Sequence, residues 1–123
     1  MTKVTVYGLA NCSTCRKALA WLDEQGIAHQ FIDYRDTPVP DQVLLRQAET
    51  IGWQKLANRA SHTWRGLAPA RKAPADDRQW LALVRDWPAL IRRPLLVRAD
   101  GSAVSGFSEK RWSETFERQV SGR

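Results

Sequence analysis

Val4-Thr5-Val6-Tyr7-Gly8-Leu9-Ala10-Asn11-Cys12-Ser13-Thr14-Cys15-Arg16-Lys17-Ala18 is the stretch on which the fold turns. Its opening is rich in β-branched residues, so residues 3–7 read as a strand ended by Gly8 and Asn11. From Ser13 the period changes. Cys15, Leu19 and Leu22 recur at helical spacing to about residue 25, and Gly26 stands where a helix-ending glycine belongs. His29 to Tyr34 reads as a second strand, followed by the turn-forming Asp36-Thr37-Pro38. Strand, short helix and strand over this distance make a βαβ unit with parallel strands and a right-handed crossover.

Working outward, Leu44, Leu45, Ala48 and Ile51 predict a helix over 41–51, with Asp41 adding acidic charge to its first turn. A short helical or irregular piece over 53–58 leads into a polar stretch at 59–66. Trp80, Val84 and Trp87 predict one face of a helix over 76–86 that Pro88 stops. Pro94 to Arg98 reads as a strand, Asp100-Gly101 as a tight turn and Ala103 to Ser105 as its antiparallel return. A closing helix starts near Glu109, with Trp112, Phe116 and Val120 on one face. Residues 1–123 therefore read as one α/β domain of order β-α-β, helices, β-β-α, with a helical insert at about 38–90.

The composition agrees. A chain of 123 residues, 43% hydrophobic and with six Trp, can bury a core, and two Cys are too few for a disulfide scaffold. The 19 Lys and Arg exceed the 13 Asp and Glu, but the excess is scattered and no nucleic-acid-binding motif accompanies it. No direct nucleic-acid binding is expected. Met1-Thr2-Lys3 runs straight into the first strand, without the apolar segment of a signal peptide, and no run is long enough for a membrane span. The expected location is the cytoplasm, where thiols are kept reduced.

In that compartment Cys12 and Cys15 are the chemically informative pair. The first turn of a helix has amide donors without intrahelical partners, and the helix dipole adds positive charge there. A thiolate at Cys12 is favoured by both. Ser13 and Thr14 read as capping and first-turn residues, and Arg16 and Lys17 add positive charge. An i, i+3 spacing puts the two sulfurs on one side of the helix, so Cys15 can resolve a mixed disulfide formed on Cys12. Two alternatives are inert core cysteines and half of a zinc site. The only other soft ligands, His29 and His62, lack zinc-site spacing, so no metal is expected.

These residues resemble the arsenate-reductase-like family of the thioredoxin superfamily, which contains ArsC, Spx and YffB. The resemblance rests on Tyr7 to Ala18, Asp33-Tyr34-Arg35, Leu56-Ala57-Asn58-Arg59, Thr63-Trp64-Arg65, Leu90 to Leu96 and Gly106-Phe107-Ser108. Thr63-Trp64-Arg65 and Gly106-Phe107-Ser108 are most similar to the YffB branch. The resemblance implies a thioredoxin-like mixed sheet with an inserted helical subdomain, and Cys12 as nucleophile. It implies that Arg59 and Arg93 match two of the arginines that hold arsenate, and that Pro94 is a cis proline facing the cysteine. The third arsenate-binding arginine would fall near Gly106-Phe107, where this chain has none. The implied function is a thiol-disulfide reductase with glutathione as co-substrate and no bound cofactor. Two alternatives follow from the same resemblance. One is arsenate reduction; the other is an Spx-like redox regulator that binds the RNA polymerase α subunit, with Gly52 at that branch's contact glycine.

Overall fold

A computed structural model describes the backbone of residues 3–121 and the side chains of residues 3–116. Strand β1 (Val4–Gly8) leads into helix α1 (Ser13–Glu24) and strand β2 (His29–Asp33). Helices α2 (Asp41–Ile51), α3 (Trp53–Leu56), α4 (His62–Arg65) and α5 (Asp77–Asp86) follow. The hairpin β3 (Leu95–Val97) and β4 (Ala103–Ser105) and helix α6 (Glu109–Ser121) close the chain. The sheet order is β2-β1-β3-β4, with β1 parallel to β2 and the other pairs antiparallel. This is the mixed, thioredoxin-like α/β sheet that the sequence predicts.

Alternation along the strands splits the core in two. Val4 and Val6 of β1 and Leu96 of β3 face α1 and α6, where they pack with Ala18, Trp21, Leu22 and Trp112. Tyr7 and Leu95 face the other way, onto the helices that run between β2 and β3. The first core is tied by Trp112, which is fully buried and edge-on to Trp21 and Phe107 at centroid distances of 6.1 and 4.9 Å. The second is tied by stacked indoles: Trp80 lies 5.6 Å from Trp53 and 6.0 Å from Trp64. Such pairs add roughly 0.5–1.5 kcal/mol each beyond area burial.

Trp53 Nε1 donates to Asp77 Oδ1 at 2.7 Å, fixing α3 to the first turn of α5. An Asp77→Ala protein is expected to lose about 1–2 kcal/mol, because the half-buried indole N–H loses a charged acceptor. Urea denaturation of the pair of proteins checks it.

Local differences from the sequence reading have local causes. The polar stretch at 59–66 holds α4, nucleated by Ser61, whose hydroxyl accepts from the Trp64 amide at 3.2 Å. Trp87 does not share the face of Trp80 and Val84. It caps α5 with φ −130° and ψ 72°, outside helical space, and is 47% exposed, while Leu83 takes the buried position. The side chain expected at Val120 lies outside the described residues, as do Met1 and Thr2. Among the described residues no helix is long and apolar enough to cross a membrane.

Candidate active site

The site is built where β1 ends. Gly8 closes the strand, Leu9 to Asn11 turn, and the Cys12 amide donates to the Leu9 carbonyl at 3.1 Å. Asp33, at the end of the neighbouring β2, accepts from the Ala10 amide at 3.0 Å and from the Arg35 side chain. Hydrogen bonds from Arg35 first, then from the Ala10 amide, hold the Asp33 carboxyl well below the usual carboxylate range. Asp33 thus stays ionised and clamps the loop that carries Cys12. The sequence reading names it only within the Asp33-Tyr34-Arg35 block that carries the resemblance and assigns it no role.

Cys12, rather than Ser13 or Thr14, is the N-cap of α1, with extended φ −92° and ψ 122°. Its neutral thiol makes no cap hydrogen bond. The thiolate is what the site stabilises. Partial burial pushes the thiol up, but the Cys15 amide and thiol, the Arg93 guanidinium and the Thr14 amide outweigh it, and the net shift is downward. Ser13 and Arg16 are exposed at the helix start. The cation that bears on Cys12 is therefore Arg93, brought in from the entrance of β3, rather than Arg16 one turn along the helix.

Cys15 behaves oppositely. It is buried and its thiol is pushed up to about 11, first by loss of solvation and then by the neighbouring Cys12 sulfur. Both cysteines are free. Part of the upward push depends on Cys12 being an anion, so it vanishes once Cys12 enters a disulfide. Cys15 then ionises more readily, at the step in which a resolving thiolate is needed.

Gly8 makes room for that thiol. A Cβ there would stand 2.6 Å from the Cys15 sulfur and 3.3 Å from the Phe31 ring. Gly8→Ala is expected to cost about 1–3 kcal/mol through overpacking against a buried neighbour. A melting temperature equal to the parent's would place the Cys15 sulfur elsewhere.

Arg93 is half-buried; its Nη1 donates to the Ala89 carbonyl at 3.0 Å, and its Nε is buried without a hydrogen-bond partner. The guanidinium also faces Tyr34, a fully buried phenol whose hydroxyl donates to the Ile91 carbonyl at 3.1 Å. Burial raises the Tyr34 pKa, so it stays a neutral post behind the arginine. The peptide bond between Arg93 and Pro94 is cis, and Pro94 is buried.

Arg59 follows a segment that lies against the residues just before Arg93. It is exposed and, among the described residues, makes no hydrogen bond or ion pair. In that pairing Ala57 bridges Ile91, and the Asn58 amide donates to the Leu90 carbonyl at 2.7 Å. Near Gly106, where the third arginine is missing, the Arg92 stem and the Arg111 guanidinium approach instead. Gly52 joins α2 to α3 with φ +85°, which by itself accounts for glycine at this position.

Comparison with known proteins places this geometry. The chain is 42% identical over 114 residues to an uncharacterized protein of Haemophilus influenzae, covering 92% of this chain and 98% of that one. It is 28% identical over 98 residues to global transcriptional regulator Spx 1 of Bacillus cereus, covering 76% and 72%. Among solved structures, the YffB protein superposes with a TM-score of 0.81 at 34% identity, covering 90% of this chain and 96% of that one. The sequence profile of the ArsC family matches residues 7–115, from the end of β1 to the middle of α6, and the chain belongs to that family.

Proposed function

We propose that the protein is a thiol-disulfide reductase of the cytoplasm that uses glutathione as its electron source. The observation that carries this reading is the opposed ionisation of two cysteines three residues apart. Cys12 is half-buried and favoured as the thiolate; Cys15 is buried and favoured as the thiol. An attacking sulfur and a withheld resolving sulfur need that division.

In the first step the Cys12 thiolate attacks one sulfur of a mixed disulfide. A Cys12–sulfur bond forms, the substrate disulfide breaks, and the departing thiolate takes a proton from water. Cys15 then loses its proton and attacks the Cys12 sulfur, closing an internal disulfide and releasing the second thiol. Two glutathione molecules return the protein to its dithiol form and leave as glutathione disulfide. Alternatively, one glutathione attacks the protein mixed disulfide directly and the internal bridge is bypassed. Arg93 steadies the sulfur anion in both routes.

The test is turnover of a glutathione mixed disulfide by reduced glutathione in the presence of the protein. Saturable, protein-dependent turnover is expected. With arsenate as the oxidant in place of the disulfide, no stimulation is expected, because the third arginine is missing. Arsenate turnover exceeding disulfide turnover would overturn the assignment.

A further inference from the structure

A groove of about 480 Å³ opens along β4, at the edge of the sheet. Its walls include Lys55 of α3, Arg92 before β3 and Arg111 of α6, together with Gln47, Thr50 and Ser105. Among the described residues, no acidic one lines it. Among the described residues, none of the three cations pairs with a carboxylate. Two of them are fixed by backbone. Arg92 Nε donates to the Lys55 carbonyl at 2.8 Å, and Arg111 Nη2 donates to the Ser105 carbonyl at 2.8 Å. A third side chain supports the floor: Gln47, only 3% exposed, donates to the Ser105 hydroxyl at 3.2 Å. Like charges are thus held together beside a polar floor with no counter-ion among the described residues, an arrangement that stores electrostatic cost until an anion enters.

The register locates the groove relative to Cys12. Tyr7 pairs Leu95 and Leu95 pairs Ser105, so these three lie in one row across the sheet. Strands are about 4.8 Å apart, which puts Ser105 about 10 Å from β1, at the same sheet end where Cys12 follows Gly8. The entrance to β3 lies between, with Arg93 turned to Cys12 and Arg92 lining the groove. An extended peptide of two or three residues spans about 7–10 Å.

We propose that this groove receives the carboxylate-bearing end of a peptide thiol whose sulfur reacts at Cys12, making anionic peptide thiols of glutathione size the preferred substrate class. The inference rests on the thiol-disulfide reading for the reacting end and adds Lys55, Arg92 and Arg111 as specificity-determining residues.

S-methylglutathione, which carries the carboxylates but cannot react, is the probe. Titrated into the reduced protein and followed by amide NMR, it should shift the signals of Lys55, Ala103 and Ser105. Lys55→Glu should weaken its binding about tenfold, the effect of reversing one close charge. Lys55 is exposed and its side chain makes no hydrogen bond among the described residues, so the fold does not depend on it. Arg111→Gln provides a second variant, and the dimethyl ester of the probe, without carboxylates, should bind neither protein measurably. Equal affinity of the probe for the parent and Lys55→Glu, or of the ester and the acid for the parent, would overturn the proposal. Binding that follows charge in a protein without disulfide turnover would retain the groove and remove the reductase reading.

Discussion

Replacing Cys12 by serine is expected to lower disulfide turnover by at least about a thousandfold while leaving the melting temperature unchanged or slightly higher. The two halves of that result have separate causes. Turnover falls because a hydroxyl at this position does not ionise near neutral pH, and an attack on sulfur needs the anion; loss of a nucleophile typically removes several orders of magnitude. The fold persists because Cys12 is the N-cap of α1 and makes no cap bond as a thiol, whereas serine is among the preferred N-cap residues. Glutathione-linked turnover and thermal melting, measured on one preparation, separate chemistry from folding. Cys15→Ala should divide the mechanism differently. It keeps the attack but removes the internal resolving step, so a glutathionyl adduct on Cys12 accumulates and is read by intact mass. A Cys12→Ser protein that retained parental turnover would remove Cys12 from the chemistry.

The parts of this site visible in the sequence are those fixed by local rules. Strand, turn and helix start follow from Val4 to Lys17 alone, and the amides that favour the Cys12 thiolate belong to the same turn. The span of α2 from Asp41 to Ile51 follows from one periodic stripe. Contacts made by chain closure were not visible in this way. Nothing near Cys12 announces that Arg93 will face it, because that depends on β3 pairing with β1. Arg59 and Arg93 are indistinguishable as residue types, yet burial beside Tyr34 separates them. Resemblance supplied the pair, and packing fixes Arg93 beside the sulfur. The role of Asp33 was not legible for a similar reason: its bond to Ala10 crosses from β2 to the loop after β1. The misplaced face of Trp87 shows the limit of periodicity, since the helix ends one residue before the stripe does.

Arg93→Met should move the pH dependence of the reaction as well as its rate. The guanidinium is one of the groups that hold the Cys12 thiol below its ordinary value of 9.0, so methionine, similar in length but uncharged, lets that value climb back. A hydrogen bond to a charged group contributes roughly 1.5–3 kcal/mol. The expected loss near pH 6.5 is therefore about ten- to a hundredfold, and it should shrink as pH rises. Above the ordinary thiol value both proteins carry the anion and their rates converge. Stability changes with the same sign for Cys12. Its depressed value contributes stability above the folded-state pKa, lost as pH falls through it, and the variant loses that contribution. Cys15 acts oppositely in the parent. Its value of about 11 means that the unfolded chain ionises first, so stability of the parent declines between about pH 9 and 11. Arg93→Lys restores a point charge without the planar fork and should fall between parent and methionine. The measurement is the alkylation rate of the reduced protein against pH, in parallel with turnover. If the methionine and parent alkylation curves superpose, the thiolate is held by the helix amides alone, and Arg93 acts on the substrate instead.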